Sequence, residues 1–491
     1  MWWERICLQT LTECCKLKAE TVAIITSIVT NLSMTDSDRN PASPLGPLSV
    51  IPARFLEAKR KLTGVVLWAA IVGSLAGLVG GFFRIGVHYI LHQRQQLAAA
   101  LANYPIVNWL IPSLLAGVMV YASFWLIRRV APDTSGSGIP QIEGAIDNLL
   151  PLDWQRVLPV KFFGGMLSIG AGMIAGFEGP TIQMGGSIGK MVSSFVRASS
   201  EQTRILIASG AGAGLAAAFN APIAGILFVT EEVRPKFDSW ILSYRSEMVA
   251  SVTATIVVRL LFGQDGFMKI THFERVPLGA LWMFVILGIG LGIIGYYFNF
   301  FLFRSLDWFG KLRGLPYQLL GLLVGSAIGW LGWLYAPLVG SGDESVIWTL
   351  ASEAPGLILL LVFLGRFLLT MVCYGSGEIG GIFAPMLAIA TLFSLGLARV
   401  CDTWFPGQLP QPGVFAVAGM GGLVAATVRA PLTAVMLTME LTDNFLVALP
   451  MLVTCIFAAI TAHLLGGEPI YSVLLKRILE KLQKQPQSDR I

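Results

Sequence analysis

Polar positions are scarce along this chain and unevenly placed. Three windows, Gly64 to Phe83, Val276 to Phe303 and Gly314 to Gly342, hold no charged residue. Each reaches the roughly 20 residues that a helix needs to cross a hydrocarbon core. Further apolar runs lie near 107–126, 157–175, 205–230, 246–258, 355–374, 382–399, 413–428 and 430–465. They lack the short alternating segments of a membrane barrel, so the pattern predicts helices. Many runs are short or broken by Gly and Pro. Backbone freed at membrane depth is stable only where it faces protein or a water-filled cavity, so the breaks predict a transport core rather than a plain bundle.

Composition sharpens this reading. Of 491 residues, 55% are hydrophobic and only 13% charged, against about 25% charged in soluble domains. The fold class expected is an all-α polytopic membrane protein. The net charge of +5 gathers in flanks such as Arg54 to Lys61 and Lys476 to Lys484. Basic flanks of membrane segments mark the cytoplasmic side, which places both termini there and gives no reason to expect nucleic acid as a partner. Cys7, Cys14, Cys15, Cys373, Cys401 and Cys455 have no metal-site spacing, and the four histidines do not cluster. Neither a disulfide framework, a metal nor a cofactor is expected. Residues 1–60 read as a cytoplasmic lead-in. Its apolar patch TVAIITSIVT is too short to span, and Met34 is a candidate start that would leave 1–33 outside the native protein.

A repeat organises the remainder. GSG at 136–138 recurs at 340–342; Lys161-Phe162 is echoed by Arg366-Phe367, and GFEGP at 176–180 by GIFAP at 381–385. The run from Gly210, GAGAGLAAAFNAPIAGILFVTEE, is echoed from Gly419 by GMGGLVAATVRAPLTAVMLTMEL. Four landmarks in one order with nearly constant offset indicate a tandem duplication. About seven apolar segments separate Gly136 from Gly340, and an odd number inverts the second half relative to the first. The expected domains are a first membrane repeat at 61–270, a second at 271–475, and a cytoplasmic tail at 476–491.

In inverted-repeat folds the substrate lies where interrupted helices from both halves point their ends. GSGIP, GFEGP and GGIFAP each place glycines at what look like helix starts, where unsatisfied N–H groups and about half a positive charge favour an anion. Glu178 sits within such a turn, although an ionised side chain at mid-membrane costs on the order of 3 kcal/mol. Its carboxylate can occupy the anion's place when charged and leave when protonated. Capping of its own helix is the structural alternative, weakened because Phe383, its repeat partner, forms the same turn without an acid. Glu231 aligns with Glu440, so a shared structural role is expected, by pairing with Arg234 or by a helix-end contact. Glu232 aligns with Leu441, and an acid present in one half only is a candidate for proton hand-off or a solvated helix end. Lys161 and Glu143 are candidates to neutralise each other, and Arg366 is expected to bond backbone carbonyls.

The strings GSGIP, KFFGG, GFEGPTIQMGGSIG, NAPIAGILFVTEE, GGIFAPM and GGEPIYS together resemble the signature segments of the CLC chloride channels and transporters, from about Arg60 to Lys484. The resemblance implies a homodimer, each subunit having its own anion pathway and two inverted halves of tilted helices in the plasma or inner membrane. It implies that Ser137, between Gly136 and Gly138, and Tyr471 offer hydroxyls to a central chloride, with backbone N–H groups of Ile382 and Phe383 completing the shell. Glu178, followed by Gly179, would be the external gating glutamate and Glu232 the internal proton-transfer glutamate. An acid at 232 favours exchange of chloride for protons over the alternative of a passive channel, and serine at 137 favours chloride over nitrate.

Three departures accompany the match. Phe177 stands where the family usually carries Arg or Lys, Gln141 replaces an acid, and Glu378 is an extra carboxylate that reads as a solvated loop residue or as a hindrance to anion entry. An intramembrane hydrolase is not supported, since no Ser–His pair or metal set accompanies Glu178, and a non-transporting scaffold would not need a duplicated glycine-lined site.

Overall fold

The computed structural model describes residues 53–233, 240–263, 273, 276–406 and 410–484. Residues 1–33, the lead-in up to Pro52, Arg234 and the tail beyond Lys484 lie outside the described residues. From Lys61 onward the chain forms one compact unit.

The described residues fold into helices without a strand. The first eight are α1 (Ala53–Ala100), α2 (Val107–Arg129), α3 (Ile139–Ile146), α4 (Trp154–Gly170), α5 (Glu178–Phe195), α6 (Ser200–Phe219), α7 (Pro222–Phe228) and α8 (Trp240–Phe262). The next eight follow the same rhythm: α9 (Leu281–Phe309), α10 (Gly314–Leu334), α11 (Gly342–Ala351), α12 (Gly356–Gly375), α13 (Phe383–Trp404), α14 (Pro412–Val428), α15 (Pro431–Thr442) and α16 (Ala448–Leu464). Helix α17 (Ile470–Lys484) closes the described chain. Eight helices of the described residues are long and apolar enough to cross a membrane, so the protein is a multi-pass membrane protein. Helices α3 and α7 have 8 and 7 residues, only about 12 Å of rise, and cannot cross alone.

Each of the first eight helices has its counterpart eight places later. Gly136 precedes α3 as Gly340 precedes α11, and the C-caps of α6 and α14, Asn220 and Arg429, are both left-handed, with φ of 55° and 71°. Eight helices therefore separate equivalent landmarks, not seven apolar segments. A two-fold relation of the halves is visible in reciprocal contacts. Gly176 N–H donates to Gly381 O at 2.9 Å, and Gly381 N–H returns to Gly176 O at 2.7 Å. Gly136 N–H donates to Glu378 O at 2.8 Å while Gly340 N–H donates to Gly172 O at 3.0 Å.

The acids Glu231 and Glu440 repeat this reciprocity. Glu440 accepts from Ile223 N–H at 3.0 Å and Ala224 N–H at 2.8 Å, at the start of α7. Glu231 accepts from Leu432 N–H at 3.2 Å and Thr433 N–H at 2.6 Å, at the start of α15. Each acid thus caps the other half's short helix, the helix-end contact expected of the pair. Within the first half, α5 and α6 meet backbone to backbone. A Cβ added to Gly185 would lie 2.9 Å from the Gly210 carbonyl carbon, and one on Gly210 would lie 2.8 Å from that of Gly185. Small residues permit this approach, which lets two helices pack tightly in lipid.

Loss of either cap leaves two N–H groups at a helix start without their acceptor. Glu231→Ala and Glu440→Ala are each expected to cost about 1 to 2 kcal/mol, read as a lowered midpoint of thermal unfolding in detergent. An unchanged midpoint in both variants would show that the caps contribute nothing.

Candidate functional site

Three helix starts surround one point. The turn before α3 carries Gly136 and Gly138 with φ of 71° and 85°, a left-handed backbone that glycine adopts without strain. Ser137 lies between them and is buried. Helix α5 begins at Glu178 and α13 at Phe383, and the Gly176–Gly381 bond pair joins the two turns just ahead of these starts. Gly380 N–H donates to Gly136 O at 3.3 Å, which ties the α3 turn to the same junction.

The Glu178 side chain, wholly buried, reaches across this junction. Its Oε1 accepts from Phe383 N–H at 2.8 Å and from Ala384 N–H at 3.3 Å. It therefore occupies the start of α13 and does not merely serve its own helix. Its Oε2 is buried without a hydrogen-bond partner among the described residues. Of the two amides expected to receive an anion, Phe383 N–H is taken by the carboxylate, joined by that of Ala384 rather than of Ile382. N–H groups at a helix start favour negative charge, whether a carboxylate or a free anion.

Ser137 Oγ accepts from Ile139 N–H at 3.4 Å. The Tyr374 hydroxyl lies against the same turn, 3.3 Å from where a Cβ on Gly136 would sit. Tyr374 was not singled out from the sequence: its repeat counterpart is Ile169, so no paired landmark marks it. The Tyr471 hydroxyl is buried without a partner among the described residues, and its ring meets Phe383 edge-on at 6.0 Å. Tyr471 also lies within electrostatic range of Tyr374, Glu178 and Glu232. A cavity of about 470 Å³ reaches this group from one side, with Gly136, Ser137 and Tyr374 in its wall and Arg477 and Lys481 farther out. Arg477 is itself held by Asp307 in two bonds of 3.0 and 3.1 Å.

Glu232 falls in a π-turn, Val229–Val233, directly after α7, and is buried; a solvated helix end is not its setting. Phe228, four residues earlier, packs edge-on against Phe383 at 5.8 Å. Phe228, Phe383 and Tyr471 thus form an aromatic series between the α7 end and the Glu178 junction.

The two buried cations play the same part in each half. Lys161 Nζ donates to Thr134 O at 2.9 Å and Gly136 O at 2.7 Å. Arg366 donates to Pro337 O, Val339 O and Gly340 O at 2.8 to 3.1 Å. The carbonyls of the turn before α3 or α11 are satisfied in this way, as expected for Arg366. For Lys161 the expectation of pairing with Glu143 fails, because the ammonium is turned into the carbonyl cage; Glu143 Oε2 is buried without a hydrogen-bond partner among the described residues. Glu378 is not a solvated loop residue: it is fully buried, and its backbone carbonyl receives Gly136 N–H. Gln141 Nε2 donates to Ser135 O at 3.5 Å, and Phe177 is the buried N-cap of α5.

The model of the voltage gated chloride channel family matches residues 119–463. The chain belongs to this family. The H(+)/Cl(-) exchange transporter ClcA of Vibrio cholerae serotype O1 is 44% identical over 445 residues, covering 89% of this chain and 95% of the relative. ClcA of Klebsiella pneumoniae is 40% identical, covering 88% of this chain and 92% of the relative. Among solved structures, a slow cyanobacterial Cl-/H+ antiporter is 55% identical with a TM-score of 0.83, over 86% of this chain and 99% of that one. A eukaryotic CLC transporter, 19% identical over 87% of this chain and 75% of that one with a TM-score of 0.71, shares the fold.

The junction leaves no room for a methyl group at Gly179. A Cβ there would lie 2.8 Å from Gly381 Cα, 2.9 Å from Ser137 O and 3.0 Å from Ser137 Cα, all backbone atoms that cannot swing aside. Gly179→Ala is expected to spread the two turns at a cost of about 1 to 3 kcal/mol and to weaken halide binding, measured by calorimetry, by roughly tenfold. Gly279→Ala, whose Cβ meets nothing within 4 Å, is the control. Equal affinities in the two variants would show that the junction tolerates the added atom.

Proposed function

We propose that this protein exchanges chloride for protons across a membrane, with Glu178 as the group that carries the proton and competes with the anion. The observation that carries this reading is the Glu178 carboxylate seated on the N–H groups of Phe383 and Ala384. The exchange activity named for the curated relatives supports it. When charged, the carboxylate holds the donors at the start of α13. Protonation removes the charge that the donors favour, the side chain leaves, and chloride takes its place. The return of the carboxylate releases the proton and expels the anion, which couples the two flows in opposite directions.

The hydroxyls of Ser137 and Tyr471 and the amides of Ile382 and Phe383 form the central chloride shell in this scheme, with Gly136, Gly138 and Gly179 letting the backbones converge. Glu232 passes protons between Glu178 and the opposite face by a route separate from the 470 Å³ cavity that admits chloride. The protein works as a homodimer with one pathway per subunit, in the plasma or inner membrane, both termini in the cytoplasm.

Purified protein in liposomes under a pH gradient provides the test. The reversal potential is expected to shift with the gradient; a reversal fixed at the chloride equilibrium value would indicate a passive channel. Glu178→Gln, which can neither charge nor release a proton, is expected to abolish proton uptake while chloride flux continues. Proton uptake that survives this change would rule out the role given to Glu178. Glu232→Gln is expected to stop proton uptake and leave the halide seen beside Ser137 and Tyr471 in bromide-soaked crystals. Retained coupling in that variant would exclude Glu232 from the proton route.

A further inference from the structure

Charged groups that the exchange scheme does not use gather on α1 and at the start of α11. His88 Nε2 lies 4.0 Å from Asp343 Oδ2, and the His88 ring packs against Phe177 with centroids 6.4 Å apart. Phe177 is the residue before Glu178. Asp343 is in the first turn of α11; its side chain is only 6% exposed, accepts the Ser341 hydroxyl, and acts electrostatically on Glu178. Gly342, beside it, approaches so closely that an added Cβ would lie 2.8 Å from Pro385 N, in the first turn of α13. A buried carboxylate thus stands next to the place where an anion must bind, and like charges repel there more strongly than in water.

We propose that His88 is a positioning residue for anion exchange: protonation of its ring pairs it with Asp343, cancels that charge beside the Glu178 junction, and raises anion entry from this side. The ring, whose side chain is 39% exposed, lines a cavity of about 680 Å³ with Arg84, Tyr89 and Asn220. The charged and titratable groups around it are Arg84, Tyr89 and His92 on α1, Asp343 on α11 with Glu344 beside it and Arg366 behind, Glu178 on α5, and Arg259 of α8, bonded to Asn220 Oδ1 at 2.9 Å. Arg84 acts on both His88 and Asp343, but its charge is constant. An imidazole is the side chain that ordinarily changes charge between pH 5 and 8.

The sign follows from the charges. Once the ring is protonated, Asp343 is compensated and an anion meets less repulsion. Near pH 8 the ring is neutral and Asp343 opposes the anion. Cancelling one unit charge near the junction, in surroundings between protein and water, is expected to change anion occupancy by roughly three- to fivefold.

This inference rests on the reading of Glu178, whose own titration would hide the effect, so the test uses Glu178→Ala protein in liposomes with equal pH on both sides. Chloride efflux is expected to rise about threefold from about pH 8 to about pH 5.5. His88→Gln in that background is expected to flatten the profile at the low rate. Asp343→Asn is expected to flatten it at the high rate, an increase that misfolding cannot produce. A flat profile in Glu178→Ala alone, or an unchanged slope after His88→Gln, would overturn the proposal. Proton uptake, recorded separately in the same vesicles, reports on the Glu178 reading: its persistence in Glu178→Ala would remove that reading without altering the comparison of slopes.

Discussion

The first amides of a helix must find an acceptor, and in a membrane interior no solvent is at hand to supply one. Helix α13 meets this constraint in the least ordinary way, since its first donors are held by a carboxylate from the other half of the chain. The surrounding architecture serves that arrangement. Glycines let the two turns approach until they exchange backbone bonds, and Lys161 and Arg366 tie down the carbonyls of the neighbouring turns. The tyrosines bring hydroxyls to the same point. What holds negative charge at this junction is therefore mostly main chain, oriented in advance.

Most of this frame was legible in the sequence because it depends on spacing. GSG, GFEGP and GIFAP stand at near-constant offsets from their counterparts, so the duplication and the convergence of Ser137, Glu178 and Phe383 followed without coordinates. Directions of side chains did not. Lys161 lies within reach of Glu143 in any helical sketch, yet the ammonium points to carbonyls that no pattern announces. Glu378 is followed by glycines and looks like a loop residue, but the loop is itself enclosed by the junction. Tyr374 escaped notice for a related reason, since its counterpart is isoleucine and a repeat reveals only what both halves keep.

The differences between the halves are as informative as their likeness. Where the fold needs support, both halves provide it: Lys161 with Arg366, Glu231 with Glu440, Asn220 with Arg429. Where the proposed exchange needs chemistry, only one half does. Glu178 aligns with Phe383 and Glu232 with Leu441, so the two acids of the proposed exchange lie in the first half, while the second supplies donors and aromatic walls. The proposed chemistry thus falls where the two halves differ, and the caps and carbonyl ties that hold the fold fall where they agree.

The reciprocal bonds between Gly176 and Gly381, together with the crossed carboxylates of Glu231 and Glu440, limit how the machine can operate. A transporter that alternates access by rocking one half against the other needs an interface that slides, whereas here the axis itself is stitched by main-chain bonds and each half grips a helix of its twin. Rocking would tear all of these at once. The exchange proposed for Glu178 asks for no such motion: the halves stay clasped while one carboxyl leaves its amides and returns to them.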